Sequence, residues 1–142
     1  MILQSQIRVF HIHQQESVLA IVNVYSGPTI PEGGTESNVL SIGTDYICGL
    51  ICPEDWTPAV VSVLISAQGD NYFDLFDGKG NEFVFNVKPG VVMAVDPYLL
   101  LCATYIRLRS GTRENPVEQS GERRFYLIGT TKLAMRAEAG PA

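Results

Sequence analysis

The sequence predicts an all-β fold, a jelly-roll-like sandwich of eight or nine short strands. Three observations predict it. Short runs of β-branched and aromatic residues recur along the chain, punctuated by Gly, Pro, Asn and Asp at roughly even spacing. No long stretch carries apolar residues at helical spacing. The densest run, residues 60–67, leads through Gln68-Gly-Asp-Asn into a second run, 72–76, which reads as a strand, a tight reversal and a strand.

Taken in order, residues 1–16 mix Ile7, Val9 and Phe10 with Gln4, Gln6, Gln14 and Gln15. This is an N-terminal arm or edge strand, available to pack on a neighbouring subunit. His11 and His13 share one face of an extended segment, but no third metal ligand accompanies them. Residues 17–25 are a strong strand, and 26–38, with its Gly and Pro, is a loop. Strands 39–42 and 46–52 follow, joined at Gly43-Thr-Asp. Gly49 inside the second marks a bulge or a close crossing. Trp56, the single Trp, sits in a turn between Pro53 and Pro58 and is expected to cap one end of the core.

The loop 77–82 is acidic, yet a calcium loop fails: alternate positions from Asp70 and Asp74 fall on Tyr72 and Phe76. Residues 83–87 and 91–95 are strands around a Lys88-Pro-Gly turn. Asp96-Pro97 offers a helix cap with Pro at the first helical position, which predicts one helical turn over 98–101. Along 103–109, Tyr105, Arg107 and Arg109 alternate with Ile106 and Leu108. Residues 110–121 are a polar loop and 124–130 the last strand. The division is an arm at 1–16, a sandwich domain at 17–130 and a tail at 131–142 with a short helix over 132–138.

A chain of 142 residues with 46% hydrophobic content suits one domain with a true core. No apolar run approaches the ~18–20 residues of a membrane helix, and the N-terminus lacks the pattern of a signal peptide. A net charge of −5 argues against nucleic acid, which requires a basic surface. The basic residues cluster late. Arg107, Arg109, Arg123 and Arg124 are therefore the candidate partner-binding residues, facing an acidic protein surface; the competing reading pairs them with the chain's own acids. On one strand Cys48 and Cys52 would lie ~13 Å apart, too far for a disulfide. With Cys102 they read as small buried hydrophobes of a reducing compartment.

No nucleophile elbow is present, and a Ser-His-Asp triad would have to use His11 or His13. Glu54, Asp55, Asp74, Asp77 and Glu82 supply carboxylates, but nothing in the sequence pairs them for glycoside hydrolysis. No enzyme, catalytic residue, metal or cofactor is expected. A carbohydrate-binding module is the rival reading, with Trp56, Tyr72, Phe73 and Tyr98 as possible sugar platforms.

Three stretches carry a family resemblance. One is Cys52-Pro-Glu-Asp-Trp-Thr-Pro-Ala, continuing to Ser66-Ala-Gln-Gly-Asp and Phe73-Asp-Leu-Phe-Asp. The second is Val95-Asp-Pro. The third, the most specific, is Tyr105-Ile-Arg-Leu-Arg-Ser-Gly-Thr with Asn115-Pro-Val-Glu-Gln and then Arg123 or Arg124 and Phe125. Over residues 49–128 the chain resembles a family of small tailed-bacteriophage virion structural proteins encoded among head genes. The resemblance implies a capsid decoration, or cement, protein that binds the major capsid protein, self-associates as a dimer or trimer, and resides in the phage head after assembly in the host cytoplasm. It implies no catalytic residue. Residues before Tyr46 depart from the family, which leaves the mode of attachment open. A tail- or fibre-associated sugar-binding module of the virion is the alternative.

Overall fold

The computed structural model describes residues 2–12 and 16–131. Among these the chain is all-β, with ten strands in two antiparallel sheets enclosing one core. The first sheet runs in the order β1 (Ile2–Ile12), β2 (Glu16–Ile30), β10 (Arg123–Thr131), β4 (Asp45–Ile51), β8 (Val92–Ala94). The second runs β3 (Leu40–Ser41), β9 (Tyr105–Ser110), β5 (Val61–Ser66), β6 (Phe73–Asp74), and β7 (Val84–Phe85) also pairs with β5. His13 and the tail 132–142, with its expected helix, lie outside the described residues.

Several elements differ from expectation. The N-terminal segment, expected as an arm or an edge strand, takes the second form: β1 pairs with β2 from Ile2 opposite Tyr25 to Ile12 opposite Glu16. β2 continues to Ile30, so that the loop expected at 26–38 begins only at residue 31. The strand runs across a cis Gly27–Pro28 peptide, at the point where its register with β10 shifts. Proline has no amide to give to a ladder, and the bulge is where none is required. The predicted hairpin forms, with Leu64 opposite Asp74, but its second strand is short. The chain leaves the β5 edge after Leu75 and returns at β7, so β6 and β7 are two touches on one edge. The Asp77 carboxylate accepts from the Lys79 and Asn81 amides within that excursion, and these bonds, that from Asn81 foremost, hold its carboxyl below the usual range. Residues 96–103 form successive turns bonded three residues apart, in place of a helical turn. The Asp96 carboxylate does accept from the Tyr98 amide, as a cap would.

Alternation sets the core. Ile106 and Leu108 of β9, Val61 and Val63 of β5, Ile47 and Leu50 of β4, and Phe125 and Leu127 of β10 point between the sheets and are buried. Each such side chain contributes about 1.5–3 kcal/mol by leaving water. Trp56 is 6% exposed and stands edge-on to Phe125, ring centroids 5.1 Å apart, closing the core as predicted. Gly49 lies at a bulge between β4 and β10, and a Cβ there would come 3.1 Å from the Ile128 side chain. A void of ≈ 10 Å³ deep in the core, lined by Leu50, Val63, Ile106 and Leu127 among others, is too small to hold a ligand.

Candidate functional site

The four candidate arginines do not form one face. Arg107 and Arg109 lie on the outer side of β9, two residues apart. The strand alternation holds, with Ile106 and Leu108 inward, yet Arg109 is only 6% exposed because loops cover it. Its guanidinium lies 2.6 Å from Asp74, 3.3 Å from Glu82 and 3.9 Å from Glu36, and it donates to the Ser62 hydroxyl at 3.3 Å. Arg113 approaches the other Asp74 oxygen at 3.4 Å, and its amide donates to Glu82 at 2.9 Å. Arg107 shares Glu36 at 3.4 Å, donates to the Ser37 carbonyl at 3.0 Å and sits 5.9 Å over the Tyr72 ring. Three arginines thus meet three carboxylates, so this cluster carries no net formal charge. It ties three loops to the outside of the second sheet.

Arg123 and Arg124 are neighbours on β10 but project to opposite sides of the first sheet. Arg123 is buried, 2.9 Å from Asp55, with its Nε donating to Gln119 at 3.1 Å. Arg124 is exposed and reaches Ser26 at 3.4 Å. Of the four, Arg107 and Arg124 retain access to solvent.

Gln119 joins residues of the first and third family-like stretches, Thr57 with Ser110 and Arg123. It is fully buried, and its carboxamide is used on both ends. Its oxygen accepts from the Thr57 amide at 2.9 Å; its nitrogen donates to the Thr57 carbonyl at 3.0 Å and to the Ser110 hydroxyl at 2.8 Å. This clasp pins the Trp56 turn onto the 116–123 loop. The Trp56 indole donates to the Ala59 carbonyl at 3.0 Å. Gly111, at φ 90°, lets that loop close: a Cβ there would lie 2.8 Å from the Val117 nitrogen. The residues quoted as Arg109-Ser-Gly-Thr, Pro116-Val-Glu-Gln and Asp55-Trp-Thr thus hold loops to the sandwich.

A second polar cluster lies where the middle of β2 meets the start of β4. The Tyr25 hydroxyl and the Asn23 side-chain Nδ2 both donate to one Asp45 oxygen, the latter at 2.9 Å. Gly129 makes room, since a Cβ there would stand 3.3 Å from Asp45 and from the Tyr25 ring. Burial, then the bond to Asp45 and that residue's charge, pushes the Tyr25 hydroxyl well above its ordinary value. Burial, then the charge of Asp55, pushes the Cys52 thiol from 9.0 up to about 11. Both groups are neutral when protonated, and the fold favours that form. Their contribution is complete below the unfolded values and is lost as pH rises through the folded ones. The urea midpoint is expected to hold steady up to about pH 9 and to fall between 9.0 and about 11, with Cys52→Ala flattening that part and Tyr25→Phe the steeper loss above it. A midpoint constant to pH 11 would contradict this.

The remaining candidates disperse. Asp74 and Glu82 do converge, but on Arg109; Asp55 pairs with Arg123 and Asp77 closes its own turn. Among the described residues no three His, Cys, Asp or Glu gather as metal ligands. Of the cysteines expected to be buried, Cys52 is, Cys48 is half-buried and Cys102 is exposed. Trp56 is a core residue and offers no sugar platform, whereas Phe73 and Tyr98 are 68% and 58% exposed. Sequence reasoning missed Glu36, placed in a loop with no distinguishing signal, and gave Gln119 no role although it stood inside the quoted stretch. No protein-family model and no curated protein matches the chain.

Proposed function

We propose that this chain is a bacteriophage capsid decoration protein, which binds the major capsid protein on the outer surface of the head and stabilises the particle by non-covalent contacts. One observation carries the reading: the residues of the family-like stretches are spent on fastening loops to the sandwich. The product is a stiff body with sheet faces for binding, and a repeated surface rewards modest affinity at each contact through avidity. The strand order supports the finer jelly-roll reading. Setting the edge strand β1 aside and counting β6 and β7 as one strand, the sheets run β2-β10-β4-β8 and β3-β9-β5-β6, and from β2 onward every successive pair but β5 and β6 exchanges sheets, as in a double Greek key. Viral capsid and lectin domains both use that architecture, so it favours the class by analogy alone. Of the four candidate arginines, Arg124 is exposed with no carboxylate partner among the described residues, and Arg107 is part-exposed beside Glu36, so these two are the ones placed to meet acidic groups on a capsid.

Co-sedimentation with empty capsids tests this. The protein is expected to pellet with them at a stoichiometry on the scale of the capsid lattice; a handful of copies per particle would end the proposal. The exposed Tyr98, edge-on to Tyr46 at 5.9 Å, favours a second reading, the virion sugar-binding module. Retention on a glycan column, abolished by Tyr98→Ala, would select it.

A further inference from the structure

The first sheet ends on β8, and no described strand lies on its other side. β8 is held to β4 at both ends: the Val95 amide donates to the Cys48 carbonyl at 3.0 Å, and the Gly90 amide to the Cys52 carbonyl at 2.9 Å. Along an antiparallel strand, residues that bond one neighbour alternate with residues whose amide and carbonyl face away from it. Val95 bonds β4, and Ala94, Met93 and Val92 lie opposite Gly49, Leu50 and Ile51 with no register shift. Met93 therefore bonds β4 as well, and Val92 and Ala94 turn their backbone groups outward. No hydrogen bond among the described residues ends on those outward groups. Val92 is 60% exposed, and Ala94 is exposed beside it.

Edge strands are ordinarily guarded by a charge, a proline or a covering loop. Residues 90–95, Gly-Val-Val-Met-Ala-Val, carry neither charge nor proline. The exposed side chains nearest in sequence are apolar as well: Val91 before the strand, Tyr98 and Leu101 after it. The first charges on either side are Lys88 and Asp96. They are of opposite sign, both are exposed, and neither has an ion pair among the described residues.

We propose that a second copy of this chain binds at this edge: β8 of two molecules pair antiparallel about a two-fold axis through Met93, joining their first sheets into one. The free groups set the register. With Val92 opposite the partner's Ala94, and Ala94 opposite the partner's Val92, every outward amide and carbonyl of both strands finds a mate. Moving the axis to Val92 or Ala94 would spend those groups on Gly90, whose amide is already given to Cys52, or on Asp96, whose carbonyl already accepts from Leu99. The chosen register also places Lys88 of each copy diagonal to the partner's Asp96, within reach of a long side chain. That attraction acts twice across the axis, in a chain whose net charge of −5 otherwise repels its copy. Pro89 falls opposite the partner's Pro97, and neither has an amide to give, so the ladder stops there. Both halves of the contact are one surface, as a closed dimer requires. The pairing goes beyond capsid binding and does not depend on it.

Sedimentation velocity on the full chain, from micromolar concentration to about 1 mM, tests this alongside amide exchange. The contact is small, so the wild type is expected to pass from monomer to dimer within that range, with the Val92 and Ala94 amides protected only as dimer forms. Ala94→Pro removes an amide that the monomer leaves unused, at an edge position where proline is tolerated. It is expected to weaken dimerisation by about 100-fold while the circular dichroism stays unchanged. If that variant fails to fold, Val92→Lys takes its place. Lys88→Glu and Asp96→Lys are each expected to weaken the dimer by about tenfold. Their equimolar mixture is expected to recover wild-type affinity, because opposite charges then meet on both sides of the axis. Three outcomes overturn the proposal: a wild type that stays monomeric throughout; a dimer indifferent to the substitution in β8; or a mixture of the charge variants no tighter than either alone.

Discussion

Replacing Arg109 by Met is expected to destabilise the protein by about 3–5 kcal/mol, because it leaves carboxylates without their cation in a place water barely reaches. Asp74 and Glu82 keep 18% and 15% of their side-chain surface exposed, and both point at this guanidinium. Arg113 remains beside Asp74, but its own side chain is 57% exposed and solvent weakens its attraction. The loss reads directly in urea denaturation, and in a melting temperature lower by roughly 10–15 °C at the entropy of a domain of this size. The triple change Arg109→Met, Asp74→Leu, Glu82→Leu is expected to recover most of the loss, since a buried ion group and an apolar group of equal volume are often comparable in stability. A single change costing under about 1 kcal/mol would mean that the cluster behaves as an ordinary surface pair.

Gln119→Leu is expected to cost about 3 kcal/mol through unsatisfied buried partners, since four hydrogen bonds end on one side chain of similar volume to Leu. Its signature is local. The Thr57 amide loses its acceptor and should exchange with solvent faster, and the Trp56 emission should move to the red as its turn loosens. Arg109→Met acts on the outer side of β9, away from the Trp56 ring in the core, and should leave that emission in place. Equal tryptophan spectra for wild type and Gln119→Leu would remove the clasp from the account of this fold.

Both residues lie where local sequence pattern stops being informative. Arg109 sits at an alternating position of β9 that predicts exposure, and local periodicity goes no further. Its burial comes from Glu36, Asp74, Glu82 and Arg113, which are 73, 35, 27 and 4 residues away along the chain. Gln119 lies in a stretch that looks like a polar surface loop by composition. Its burial follows from a carboxamide that matches both backbone groups of Thr57, a residue 62 positions earlier. The loop expected at 26–38 starts only at residue 31 for a related reason: Gly and Pro are turn residues by local preference, but β10 accepts Gly27 and Pro28 at a bulge.

Period-two alternation, turn residues and the lack of any helical pattern sufficed to determine the all-β class, the hairpin centred on 68–71, the inward placement of Ile106 and Leu108, and the role of Trp56 as a core lid. These depend on the backbone and on neighbours a few residues away, and such information is written locally. The order of strands, the pairing of β1 along β2, the neutral cluster around Arg109 and the clasp at Gln119 were decided by the tertiary structure. Each depends on which distant segments meet across the core or along a sheet edge, and that choice is set by the packing of the whole chain.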